Sequence, residues 1–112
     1  MKIDEMKIEK TRHRLGGEKR AAPPSKSDAR SMALRSLVFL AEDDERMGRF
    51  LALTGADPGD IRALAGAEGF QLALLEHICA DEPLLIAFAA AENLAPESVV
   101  AARAALAGPI MD

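Results

Sequence analysis

The segment of residues 46–64, RMGRFLALTGADPGDIRAL, restricts the fold more than any other part of the sequence. Gly55 stands where a helix commonly ends in a left-handed residue. Asp57 and Pro58 then form a typical helix start, with a capping carboxylate and a proline at the first position. The predicted inward residues at helical spacing are Met47, Phe50, Leu51 and Thr54 in the first helix, and Ile61, Leu64 and Ala65 in the second. The segment therefore predicts a helix–turn–helix corner, with its second helix over residues 58–65.

The composition favours helices in the rest of the chain as well. Hydrophobic residues make up 49% of the sequence but aromatic residues only 4%, and the excess is alanine and leucine, which prefer helices to strands. Further helices are predicted from about Ser25 to Ala41 and over residues 68–80, 83–92 and 96–106. No segment alternates with the period of two that is typical of strands. The predicted fold is all-α, a compact bundle of five to six short helices.

The apolar pattern predicts which faces of these helices are buried. Residues 68–80 are apolar almost all round, which places that helix in the middle of the bundle. Residues 84–91 are apolar on several faces, so that helix is either buried on all sides, or buried on one side and covered by a second copy of the chain. The predicted inward residues are Ala33, Leu34, Leu37, Val38, Leu40 and Ala41 in the first helix, and Val99, Val100, Ala102 and Leu106 in the last.

The charges divide the chain into two parts. Residues 1–26 hold eight Lys and Arg against four Asp and Glu, a net of 8 − 4 = +4, whereas residues 27–112 hold six against fourteen, 6 − 14 = −8. Residues 1–26 have no helical or strand period, so we predict a disordered basic tail before an acidic helical domain. Such a tail either docks on nucleic acid or an acidic surface, or is a dispensable extension.

Several classes of protein are disfavoured by the sequence. The single cysteine rules out an internal disulfide and a cysteine-cluster zinc site. The longest apolar run, residues 84–91, is too short to span a bilayer, and the N-terminus does not resemble a secretory signal. We therefore expect a cytoplasmic protein with no membrane partner.

No catalytic, cofactor-binding or metal-binding residues are predicted. His77 and Cys79 lie two positions apart on one helix and point to opposite sides, so they cannot act as a base and a nucleophile. His77 and Asp81 are one turn apart, but two ligands do not make a metal site, and Asp81 is better explained as a helix cap. We interpret the acidic run at residues 42–45 as solvated cap acids rather than a calcium site.

Three segments carry a resemblance to a known family. RFLALTG at residues 49–55, DPGDI at residues 57–61 and DEPLLIAF at residues 81–88 are similar to a proteobacterial domain-of-unknown-function family, number 3572. The similarity covers roughly residues 33–106. The resemblance implies an all-helical domain and implies no activity, cofactor or partner.

Two functions remain open at this stage. The first is a small acidic module without catalytic activity that binds a protein partner, or a second copy, through an apolar helical face. The second is a nucleic-acid-associated regulator that uses the basic tail and the corner. The acidic charge of the domain, and Asp57 and Asp60 at the start of the would-be reading helix, argue against nucleic acid as a partner.

Overall fold

Six α-helices and one 3-10 turn make up the part of the chain that the computed structural model describes, residues 24–108. They are α1 (Lys26–Ala41), α2 (Asp44–Thr54), the 3-10 turn (Pro58–Asp60), α3 (Ile61–Leu64), α4 (Glu68–Cys79), α5 (Glu82–Ala91) and α6 (Pro96–Ala107). No strand occurs within residues 24–108, so the all-α prediction is confirmed. The predicted tail falls outside the described residues except for residues 24–26.

Short polar side chains start four of these elements, as the sequence predicts. Ser25 Oγ accepts a hydrogen bond from the backbone N–H of Asp28, and Asp43 Oδ1 accepts from two N–H groups at the start of α2. Asp57 caps the 3-10 turn and Asp81 caps α5 in the same way. These bonds satisfy N–H groups that have no partner within the helix.

The helix–turn–helix corner is confirmed, although it lies at the edge of the fold. Gly55 ends α2 with φ = 75°, a left-handed conformation that glycine adopts without strain. The predicted second helix, however, is a 3-10 turn followed by the four residues of α3, and no side chain in it is fully buried. The centre of the bundle is instead formed by α1, α4 and α6, which pack against one another. The middle position predicted for α4 is therefore correct.

The predicted inward face of α1 is wrong for three of its six residues. Ala33 and Leu40 are buried as expected and Leu37 is half-buried, whereas Leu34 and Val38 are 39% and 58% exposed. The buried residues of α1 are Ala29, Met32, Ala33, Ser36 and Leu40, and the third wrong assignment is the exposed Ala41. Alanines face α4 and α6 because they allow the helices to approach closely, which turns the larger Leu34 and Val38 outward.

Two further predicted positions differ from the structure. Thr54 in α2 and Val100 in α6 are exposed rather than inward. Helix α5 buries Leu84 and Phe88 but exposes Ile86, so it is covered on one side only.

Within residues 24–108, no single helix is long and apolar enough to cross a bilayer, although α5 and α6, bent by 103°, meet those criteria as a pair.

Candidate functional site

A polar cleft lies where the start of α2, the end of α4 and the start of α5 meet. Its volume is about 380 Å³. The lining residues are Asp43, Glu45, Arg46, Arg49, His77, Asp81, Pro83 and Leu84. The caps of α2 and α5 are among them, so the same carboxylates that start the two helices also line the cleft.

Two arginines from α2 face these cap carboxylates. Arg46 Nε lies 3.9 Å from Asp43 Oδ2, and Arg49 Nη1 lies 3.6 Å from Asp81 Oδ2. Arg46 is positioned further by the ring of Phe39, whose centroid is 4.8 Å from the guanidinium carbon. Both ion pairs are longer than a hydrogen bond and partly exposed to solvent, so each contributes little to stability. The pair between Arg49 and Asp81 links α2 to the start of α5.

His77 forms part of the wall of this cleft and packs against the core. Its ring meets the ring of Phe50 edge to face, with 5.1 Å between the centroids. Its Nε2 atom is buried and has no hydrogen-bond partner. Burial lowers the pKa of His77 below its ordinary value, a nearby Asp81 raises it and Arg49 lowers it. His77 is therefore mainly neutral at pH 7.

We expect His77 to make the domain less stable in mild acid. Its pKa is lowered in the folded state, so below the unfolded value of about 6.5 the unfolded chain binds more protons. Stability is therefore full above that pH and is lost as the pH falls towards the folded pKa. Urea denaturation of the wild type and of His77→Gln at pH 7.5 and 5.5 measures this loss. His13→Gln serves as the control, because the chain has only these two histidines; equal pH dependence in the wild type and His77→Gln contradicts the expectation.

Cys79 does not line the polar cleft that contains His77. It is half-buried in a shallow hollow between α4 and α6, where its neighbours include Val100 and Arg103. Burial raises the pKa of the Cys79 thiol, and Arg103 lowers it to a smaller extent. The thiol is therefore protonated at neutral pH. The structure thus places His77 and Cys79 in separate cavities, as their spacing predicts.

The acidic run at residues 42–45 lies at the junction of α1 and α2. Glu42 follows the last residue of α1, Asp43 caps α2, and the remaining two acids of the run occupy the first turn of α2. Among residues 24–108, no three His, Cys, Asp or Glu side chains are grouped so that they could hold a metal ion. The predicted capping role is therefore confirmed for Asp43.

A second candidate surface is the outward face of α1. Its residues follow one another at offsets of four, three, four and three, which is the spacing of one seam of a coiled coil. All of them are exposed and none is charged. We call this surface the outer stripe; it consists of Ser27, Ser31, Leu34, Val38 and Ala41. An ordinary surface helix carries charged residues opposite its buried face, and α1 does not.

Ion pairs hold the arginines that border the outer stripe. Arg30 Nη2 donates to Glu68 Oε2 at 2.8 Å, and Arg35 Nε donates to Glu92 Oε1 at 2.8 Å. The hydrogen bond from Arg30, with help from Lys26, holds the pKa of Glu68 below its ordinary value. These pairs fix α1 to the start of α4 and the end of α5.

The sequence analysis predicted neither the polar cleft nor the outer stripe as a candidate site, although part of the signal for each was present. For the cleft, the signal within the sequence is the one-turn spacing of His77 and Asp81, whereas the approach of Arg49 depends on the fold. For the outer stripe, the heptad offsets were present, but its three apolar residues, Leu34, Val38 and Ala41, were assigned to the core. The helix–turn–helix corner, the other surface considered in the sequence, has a single basic residue, Arg62, on its one-turn helix α3.

The fold defines a small all-α domain whose core is formed by α1, α4 and α6. A family model described as a protein of unknown function (DUF3572) matches residues 26–109, and the chain belongs to this family. The resemblance seen in the sequence is thereby confirmed. Comparison with curated proteins and with solved structures gave no significant match.

Proposed function

We propose that this domain is a protein-interaction module without catalytic activity and that it binds its partner through the outer stripe of α1. The observation that carries the proposal is the uncharged, exposed heptad pattern on α1, the longest helix within residues 24–108. Val38, 58% exposed, lies one turn from Leu34, so the two large apolar side chains form one continuous patch. Covering apolar surface of this kind is the usual source of binding free energy between proteins.

The outer stripe is better suited to this role than the exposed part of α5. Ile86 is the one large apolar side chain that α5 exposes, and its exposed neighbours Ala90 and Ala91 are small. The outer stripe has two large side chains and extends along a helix of 16 residues. The absence of catalytic activity is supported by the separation of His77 from Cys79, which leaves neither residue beside the other for nucleophilic chemistry.

Site-specific cross-linking tests the proposal. A photoreactive amino acid placed at position 38 of the full chain is expected to give a covalent adduct in the producing cells, whereas the same group at position 53 is not. Leu53 is the matched control because it is a 70% exposed leucine on a different helix, α2. Leu34→Asp should remove the adduct formed from position 38. Adducts of equal yield from positions 38 and 53, or none from position 38, contradict the proposal.

Mass spectrometry of the adduct identifies whether the partner is another protein or a second copy of the chain. The alternative of a nucleic-acid-associated regulator gains no support from the described residues. Helix α3 is one turn long, too short to present several side chains along a groove.

A further inference from the structure

We propose that protonation of His77 releases α2 from α4, while α1, α4 and α6 stay packed together. His77 belongs to α4, lines the polar cleft, and meets the ring of Phe50 of α2 with 5.1 Å between the centroids. The stability lost in mild acid is then lost first at α2, as a local opening, before the whole domain unfolds. This pH-sensitive contact does not depend on what the outer stripe binds.

Two neighbouring residues, Arg49 and Phe50, connect α2 to α4 and α5. Phe50 is the one fully buried residue of α2, and its ring contacts Phe70 and His77 of α4. Arg49 adds a partly exposed ion pair with Asp81 at the start of α5. Helix α2 also lies outside the three helices that form the centre of the bundle. It can therefore separate from α4 without opening the packing of α1, α4 and α6.

A proton on His77 acts against both connections. Nε2 of His77 is buried and has no hydrogen-bond partner, so in the imidazolium form it becomes a buried N–H without an acceptor, which is unfavourable. The positive ring is also repelled by Arg49 and attracted by Asp81. Asp81 Oδ2 lies 3.6 Å from Arg49 Nη1, so the charged ring competes with Arg49 for this carboxylate. The contact with Phe50 and the ion pair are therefore weakened together.

Among the residues around the cleft, His77 is the one of a type that changes charge between pH 5 and 8. The charged residues that share the cleft with His77 are Asp43, Glu45, Arg46, Arg49 and Asp81. The part of α5 that lines it is apolar, and Glu76 of α4 lines the other hollow, with Arg103. Burial in the folded state lowers the pKa of His77, so the released state binds the proton more tightly and gains population in mild acid.

Hydrogen exchange of the full-length protein, followed at single amides by nuclear magnetic resonance, tests the proposal. A released helix of 11 residues is too short to keep its hydrogen bonds in water, so its amides exchange. After correction for the intrinsic effect of pH on exchange, we expect the protection of the α2 amides to fall by up to about tenfold from pH 7.5 to 5.5. That limit follows from a pKa of about 6.5 for a histidine in water.

The core supplies an internal reference. At both pH values the α2 amides should be less protected than those of Leu74 in α4 and Ala102 in α6, which are fully buried. In His77→Gln, whose amide takes up no proton in this range, the protection of α2 should no longer depend on pH. His13→Gln is the control and should retain the pH dependence of the wild type.

Three results would each overturn the proposal. The first is protection of α2 in the wild type that is the same at pH 7.5 and 5.5. The second is protection of α2 equal to that of Leu74 and Ala102, because α2 then opens only when the whole domain unfolds. The third is an unchanged pH dependence in His77→Gln. The first two are measured on the wild type, so a variant that fails to fold leaves them decisive.

Discussion

Replacing Phe50 by alanine is expected to lower the free energy of unfolding by about 3–5 kcal/mol. Phe50 is the one fully buried residue of α2, and its ring contacts Phe70 and His77 of α4 edge to face. Removing the ring leaves a cavity between α2 and α4, and the cost of the cavity adds to the lost burial. The expected loss is a large fraction of the total stability of a typical domain, about 5–15 kcal/mol.

Urea denaturation at pH 7.5 measures the effect of Phe50→Ala. Leu53→Ala is the matched control, since Leu53 lies on the same helix and is 70% exposed. Its free energy of unfolding should remain within about 0.5 kcal/mol of the wild type. Similar losses in the two variants contradict the role of Phe50 as the anchor of α2. Phe50→Ala should also perturb the nuclear magnetic resonance signals of the His77 ring, because the two rings are in contact.

The helix ends were predictable from the sequence because each depends on a few neighbouring residues. Asp81 reaches the N–H of Leu84 within the same turn, and Gly55 adopts its left-handed conformation whatever packs around it. The length of the second helix of the corner was not predictable in this way. Its apolar residues Ile61 and Leu64 are only half-buried, and a short helix without buried contacts has little to extend it.

The face of α1 that turns towards the core could not be predicted from the pattern of apolar residues in that helix. The helix has apolar residues on two opposite faces, so its period fits either face towards the core. The choice is made by α4 and α6, which approach α1 closely and favour the face bearing Ala29 and Ala33. That contact joins residues far apart in the chain, and a pattern within one helix contains no information about it.

The polar cleft was predictable only in its local part. His77 and Asp81 share one helix turn, and their proximity follows from sequence spacing. The position of Arg49 beside Asp81 depends on how α2 packs across α4 through Phe50. The lowered pKa of His77 depends on the same packing, since burial is its main cause.

Replacing Ala33 by leucine should destabilise the domain by about 1–3 kcal/mol, because the added methylene groups have no space between α1 and its neighbours. Ala33 is fully buried, as are Ala29 on the same helix and Ala102 on α6. Thermal or urea denaturation measures the loss. Ala41→Leu is the control: Ala41 is exposed on the same helix, and leucine is nearly as good a helix former as alanine.

A second substitution makes this prediction a test of the orientation of α1. With Leu34 facing outward, Leu34→Ala should change the free energy of unfolding by no more than about 1 kcal/mol, much less than the 2–5 kcal/mol lost for a buried leucine. If Leu34→Ala is costly and Ala33→Leu is tolerated, α1 is rotated and Leu34 and Val38 belong to the core. In that case the outer stripe does not exist as a surface and the proposed binding function fails with it. The reverse result shows that Leu34 contributes little to folding and faces outward, which is the condition the binding proposal requires.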